Sequence, residues 1–266
     1  MIRQIKSKDN PLFGYMQSLL KPSFSRKENS ILAEGFRQVE EALDSGLEIK
    51  SFVYTKAAQK QTGWSRIEPW WEQLQQNECV ELSEQLFKQI SATKQPQGVA
   101  LICKVPVISN PQQLPAENGL YMILEAVQDP GNLGTIIRTA DAFGFDGVLL
   151  TSGCVWPYYD KVLRSAMGSV FHVPIFSFEN IRDCQIWLKQ VDTVIIAADP
   201  SAKNSIGQAK WKRPACVAIG NEGRGLTETA LEISDLRVSI PMPGRAESLN
   251  AAAAAAIMAY EMMIKQ

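Results

Sequence analysis

After residue 118, short and almost wholly apolar runs alternate with segments of helical spacing, and this alternation leaves few folds open. The runs are 120–127, 148–151, 193–198, 216–220 and 238–240; the helical patterns are 135–143, 181–190, 227–233 and 249–264. Strands without polar alternation are buried on both faces, and strands separated by helices pair in parallel. The expectation is an α/β domain on a parallel sheet. Such sheets bind ligands beyond the carboxyl ends of their strands, which points to the loops after Val127, Gly220 and Ile240.

Ahead of this domain runs VPVISNPQQLPAENG, in which Pro106, Pro111 and Pro115 each remove a backbone donor and disfavour helix in the residue before them. This predicts a first domain at 1–104, a linker at 105–118 and a second domain at 119–266. The first domain reads as mixed α/β. Ile31, Leu32, Phe36, Val39, Ala42 and Leu43 have helical spacing over 31–43, with Gly46 as a stop. Strand-like runs follow at 49–54 and 99–103, with Trp64, Trp70 and Trp71 between them to pack or stack.

With 45% apolar and 21% charged residues the chain can bury a proper core, which excludes a disordered or fibrous protein. The net charge of -1 argues against a general nucleic-acid coat protein. Any RNA contact must be local, and Arg3, Lys6, Lys8, Lys21, Arg26 and Lys27 stand near the N-terminus with Asp9 as the single acid among them. The five cysteines form no CxxC pair, as expected of small buried side chains in a reducing cytosol. The single histidine, His172, cannot supply a zinc site of usual spacing and has no nucleophile motif nearby, so it reads as structural and no metal is expected. The N-terminus lacks a signal-type apolar region, and the most apolar stretch, 249–264, is interrupted by Glu261 and too short to span a bilayer. A cytoplasmic protein without a membrane partner is expected.

The three loops carry the chemistry. The first, Asp129-Pro130-Gly131-Asn132-Leu133-Gly134, opens a helix that Asp129 or Asn132 can cap, with Arg138 one turn in. Arg138 can grip a phosphate with two parallel bonds, or pair with Asp141 as an ordinary surface ion pair. The second, Gly220-Asn221-Glu222-Gly223-Arg224-Gly225, allows close approach to the backbone, but Glu228 stands where a GxGxxG dinucleotide loop needs glycine, and no Walker lysine follows. The third runs from Ile240 through Met242 to Ser248, Leu249 and Asn250 and enters a helix of six alanines, for which Ser248 is a plausible cap.

DPGNLGTIIRTA, AIGNEGRGL and IPMPGRAESLNAAAAAAI, in this order, resemble the three signature motifs of SpoU (TrmH-type) RNA methyltransferases, and ILAEGFRQVEEAL resembles that family's small ribosomal-protein-like substrate-binding domain. The resemblance implies a trefoil knot at the C-terminal end, S-adenosylmethionine as cofactor, and methyl transfer to a ribose 2′-hydroxyl of RNA, ribosomal before transfer RNA. It implies donor contacts around Gly220, Asn221, Ile240, Met242 and Leu249. It assigns the polar active-site positions to Asn132, Arg138, Glu222, Ser248 and Asn250. It further implies a homodimer in which Arg138 acts near the donor of the other subunit. Deprotonating a free arginine at pH 7 costs about 9 kcal/mol, so a phosphate clamp is cheaper than a general base, although the sequence leaves both roles open.

Overall fold

A computed structural model describes residues 2–108 and 111–264. In chain order the elements up to residue 104 are β1 (Ile2–Ile5), α1 (Pro11–Leu19), α2 (Pro22–Glu28), β2 (Ser30–Glu34), α3 (Phe36–Asp44), β3 (Ile49–Thr55), α4 (Trp71–Gln76), β4 (Glu78–Leu82), α5 (Glu84–Ile90) and β5 (Val99–Lys104). Then come β6 (Leu120–Leu124), α6 (Pro130–Ala142), β7 (Gly147–Thr151), α7 (Asp160–Ala166), β8 (Ile175–Phe178), α8 (Ile181–Leu188), β9 (Val194–Ala198), β10 (Ala215–Ile219), α9 (Glu228–Ile233), β11 (Leu236–Val238) and α10 (Ala251–Ile264). No helix among the described residues is long and apolar enough to cross a membrane.

The chain packs into two compact units, Met1–Val107 with Tyr158–Phe171, and Ile108–Pro157 with His172–Gln266. Residues 109 and 110 of the expected linker lie outside the described residues. The segment Tyr158–Phe171, read from the sequence as part of the second domain, packs with the first unit. There α7 lies against β2 and buries Val162, Leu163 and Ala166. A seven-residue amphipathic helix carries no local sign of which sheet it will cover.

The first unit holds a five-stranded sheet of order β1-β4-β3-β5-β2. In it β1, β4 and β3 run parallel, and β5 is antiparallel to β3 and β2. The helix expected over 31–43 begins only at Phe36, because 30–34 is strand β2. Ile31, Leu32 and Ala33 are buried against β5, and Gly35, at φ 96°, makes the break that L-residues resist. Two adjacent apolar residues at 31 and 32 fit either period. Trp64 and Trp71 meet edge to face at 5.3 Å and pack on Phe52 and Tyr54.

In the second unit all six strands are parallel, in the order β11-β9-β10-β6-β7-β8. From β6 the chain builds outward through β7 and β8, then returns to the other side of β6 to lay down β9 and β10. The strand order therefore reverses between β6 and β10, and the loops leaving those two strands emerge side by side. Every residue of β6 and β10 is buried. Helix α10 packs on α6 and β10 through Ala252, Ala255, Met258, Ala259 and Met262, the alanines allowing the backbones to come close. Four of the five cysteines are buried and Cys154 is half-buried; all are free thiols. Burial pushes Cys103 to about 12 and Cys154 to about 11, so neither is a nucleophile at neutral pH.

Candidate active site

The first loop is built by its own side chain. Asp129 Oδ1 accepts from the Asn132 backbone N–H at 2.8 Å, and Pro130 occupies the first helical position, where no donor is needed. This cap starts α6 at Pro130, five residues before the pattern in the sequence suggests. Ala126, just before the loop, sits at φ 53° and is held from both sides. Its N–H donates to Thr151 Oγ1 at 3.1 Å, and its carbonyl accepts from Asn221 Nδ2 at 2.8 Å.

The second loop closes on itself. Asn221 and Gly225 exchange backbone hydrogen bonds at 3.1 and 2.9 Å, and Asn221 Oδ1 accepts from the N–H groups of Gly223 and Arg224. The Asn221 side chain is thus committed to loop shape. Gly220 is obligatory: a Cβ there would lie 2.1 Å from the Gly225 carbonyl carbon, which is backbone and cannot swing away. Glu125, buried at the end of β6, accepts from Thr227 N–H at 2.9 Å and Oγ1 at 2.8 Å, fixing the far end of this loop.

Glu222 joins the first two loops. Its carboxylate accepts from the Asp129 N–H at 3.0 Å, the Gln128 N–H at 3.3 Å and Asn132 Nδ2 at 3.1 Å. Burial opposes ionisation of Glu222, but the bonds from Asn132 and the backbone outweigh it and hold the carboxyl below its ordinary range. Asn132 Oδ1 in turn accepts from Asn250 Nδ2 at 2.9 Å, which brings in the third loop. Asn250 Oδ1 accepts from the N–H groups of Ala252 and Ala253 and so caps α10; the cap expected from Ser248 falls to Asn250 instead. Glu222, Asn132 and Asn250 therefore form one hydrogen-bonded chain across all three motifs.

Arg138 stands exposed on α6. The ion pair with Asp141 does not form: Asp141 meets His172 Nδ1 at 3.3 Å. Among the described residues Arg138 has no ion-pair partner, which leaves its guanidinium available to a ligand. Ser248 and Leu249 line a cleft of about 310 Å³ together with Gly220, Asn221 and Glu222. A contiguous, more apolar recess of about 70 Å³ is walled by Val238, Ile240, Met242 and Leu249. The volume is at the lower end of the roughly 300–1,000 Å³ of small-ligand clefts. Pattern reading missed Glu125 and Asp199. Asp199 borders both recesses, buried and bonded to Ser201 and, at 2.6 Å, to Arg237. Burial works against its ionisation, but the bonds from Ser201 and Arg237 keep it below its ordinary range. The only sequence signal was a lone acid at the end of an apolar strand. Among the described residues no cluster of metal-ligating side chains occurs.

Residues 119–260 match the SpoU rRNA Methylase family, and residues 10–101 match the MRM3-like substrate binding domain. The 23S rRNA (guanosine(2553)-2′-O)-methyltransferase RlmP of Bacillus subtilis is 34% identical, the match covering 98% of this chain and 99% of the relative. The 23S rRNA (uridine(2479)-2′-O)-methyltransferase of Streptomyces viridochromogenes is 27% identical over 97% and 91% of the two chains. A crystal structure of an AdoMet-bound rRNA methyltransferase from Sinorhizobium meliloti superposes with a TM-score of 0.84 at 31% identity, covering 98% of this chain and 97% of that one. The chain belongs to the SpoU rRNA methylase family. It is an S-adenosylmethionine-dependent enzyme that methylates ribose 2′-hydroxyls of RNA.

Proposed function

We propose that the RNA is ribosomal, that residues 1–104 recognise it, and that the enzyme works as a cytoplasmic homodimer whose C-terminal end is tied in a trefoil knot. The observation that carries the active-site assignment is the Glu222–Asn132–Asn250 chain, which holds three distant motifs in one fixed constellation at the switch point of the sheet. Two relatives matched over nearly their whole length are by name methyltransferases of 23S rRNA, which supports the ribosomal target.

The residues present fit the donor. Ile240, Met242 and Leu249 offer apolar walls to a flat ring, and Gly220 and Asn221 line the adjoining cleft. When bound, S-adenosylmethionine supplies a methyl carbon made electrophilic by its sulfonium. The chain's own task is to bring the ribose oxygen in line and manage its proton. Positioning of this kind supplies up to about 7–11 kcal/mol. Arg138 clamps the neighbouring phosphate and orients the hydroxyl, while Asn132, Asn250 and Ser248 present polar groups beside it; Glu222 holds Asn132 in its orientation. Because the sulfonium loses its charge as the methyl leaves, a shell that does not overstabilise the cation favours the transition state.

Ala253, Ile257, Tyr260 and Ile264 recur at helical spacing along one exposed face of α10, and an apolar stripe of this kind supports a self-association surface. Free thiols throughout suit a reducing compartment. The test of the substrate is a map of ribose methylation in ribosomal and transfer RNA from cells with and without the gene. Loss of one ribosomal site is expected; loss of a transfer-RNA site alone would overturn the assignment.

A further inference from the structure

The first unit has its own cleft, at the carboxyl ends of its parallel strands. Gln4, Glu81 and Tyr54 are register neighbours across β1, β4 and β3. Gln4 Nε2 donates to Glu81 Oε1 at 3.1 Å, and the Tyr54 hydroxyl reaches Oε2 at a long 3.4 Å. Lys56 Nζ lies 3.5 Å from Oε1, and the Glu81 side chain is 16% exposed. Gln4, Lys56 and Glu81 line a cavity of about 380 Å³ together with Lys6, Thr55 and Ser83.

Its charge decides what it takes. Lys6 and Lys56 are balanced by Glu81 and Glu84, so the cavity is no trap for a phosphate. What it presents is a fixed carboxylate with unused lone pairs, flanked by ammonium and amide donors. A carboxylate can accept about four hydrogen bonds, and Glu81 Oε2 has one weak donor. The complementary ligand offers two adjacent N–H donors beside one acceptor. Among the bases only the Watson–Crick edge of guanine does so, with N1–H and N2–H next to O6. A guanidinium offers paired donors as well, but it carries no acceptor for the lysine ammonium groups beside Glu81. Unpaired bases are the part of an RNA most often read on their edges.

We propose that this cavity reads one unpaired guanine of the RNA substrate, Glu81 accepting from N1–H and N2–H while a lysine donates to O6. The inference rests on the reading that the first unit recognises ribosomal RNA. The methyl-transfer residues belong to the second unit, so this guanine is an element of target recognition.

The test is calorimetry of guanosine, inosine and adenosine 5′-monophosphates with the full-length protein, its donor cleft saturated with S-adenosylhomocysteine. Guanosine monophosphate is expected to bind about fivefold or more tighter than inosine monophosphate, which lacks N2–H, with the adenosine compound weaker still. Glu81→Gln should erase that preference, raise KM for ribosomal RNA and leave kcat and donor affinity unchanged. Gln4→Ala, at an exposed edge, should weaken the preference without touching the carboxylate. Equal binding of the three nucleotides, or a guanine preference undiminished in Glu81→Gln, would overturn the proposal. A Glu81-dependent guanine preference in a protein that does not methylate ribosomal RNA would uphold it and overturn the substrate assignment alone.

Discussion

Asn250 donates through Nδ2 to Oδ1 of Asn132 at 2.9 Å, across 118 positions of sequence, while its own Oδ1 caps the helix that follows. One side chain thus serves the active site through one atom and the fold through the other, and the two roles can be separated. Asn250→Asp keeps the capping oxygen and turns the donor into an acceptor facing Asn132 Oδ1. It should melt within a few degrees of wild type yet lose at least about tenfold in methyl transfer. Asn250→Ala should lose both, with a stability cost of about 1 kcal/mol for the cap. Thermal melts and methyl incorporation check this; full activity in Asn250→Asp would remove Asn250 from the constellation.

Arg138→Ala should abolish methyl transfer and leave donor affinity within a few-fold of wild type, since the donor cleft is lined by the second and third loops and Arg138 is on the helix of the first. Arg138→Lys separates clamp from base. Lysine loses the two-pronged grip but gives up its proton about three units more easily. A clamp predicts activity near that of alanine at every pH, whereas a base predicts appreciable activity rising with pH.

Glu222 is held below the ordinary carboxylate range despite its partial burial, because Asn132 and two backbone N–H groups donate to it. A depressed folded-state pKa contributes stability above the unfolded value, about 4.3 for glutamate, and that contribution is lost as pH falls through the folded value. Wild-type melting temperature should therefore drop as pH falls from about 4.3 towards the folded value more steeply than that of Glu222→Gln. Above about pH 5 the two curves should run parallel. Parallel curves over the whole range would mean that these hydrogen bonds do not favour the ionised form.

Gly220→Ala places a methyl group against the Gly225 carbonyl. The loop must open to admit it, and donor affinity should fall by more than about tenfold, with a lowered melting temperature. Unchanged donor binding by calorimetry would separate this loop from the donor site.

Ile257→Glu combined with Ile264→Glu puts two charges into the exposed stripe of α10, at sites 38% and 49% accessible. If the stripe is the self-association surface, sedimentation should shift from twice 29.5 kDa to a single chain. A wild type that is already a fully active monomer would refute the dimer.

The parallel sheet was legible because its strands are apolar on both faces, and the three loops because glycine, proline and asparagine cluster where strands end. Strand β2 was not, since Ile31 and Leu32 satisfy both periods and only the pairing with β5 decides. Strand β1 escaped notice for another reason: it buries Ile5 alone and leaves no alternating pattern. Within the site, the motif residues were readable as types at positions, but their joining was not. That Asn250 rather than Ser248 caps α10, and that Asp141 turns to His172 rather than Arg138, depends on directions set by tertiary packing. Asp199 and Glu125 lay beyond reach because single acids at strand ends look like solvent-facing punctuation.

The excursion of Tyr158–Phe171 into the first unit has a consequence for how the protein is made. Synthesis is vectorial, at roughly 5–20 residues per second, so about 3–13 s separate the emergence of Val107 from that of Phe171. For that interval β2 is without the α7 cover it has in the finished molecule. The nascent first unit waits for a stretch of chain encoded inside its neighbour, and the second is interrupted until that stretch has been delivered. The two units are thus bound to a shared timetable of assembly, and a gene cut at the apparent linker would break it.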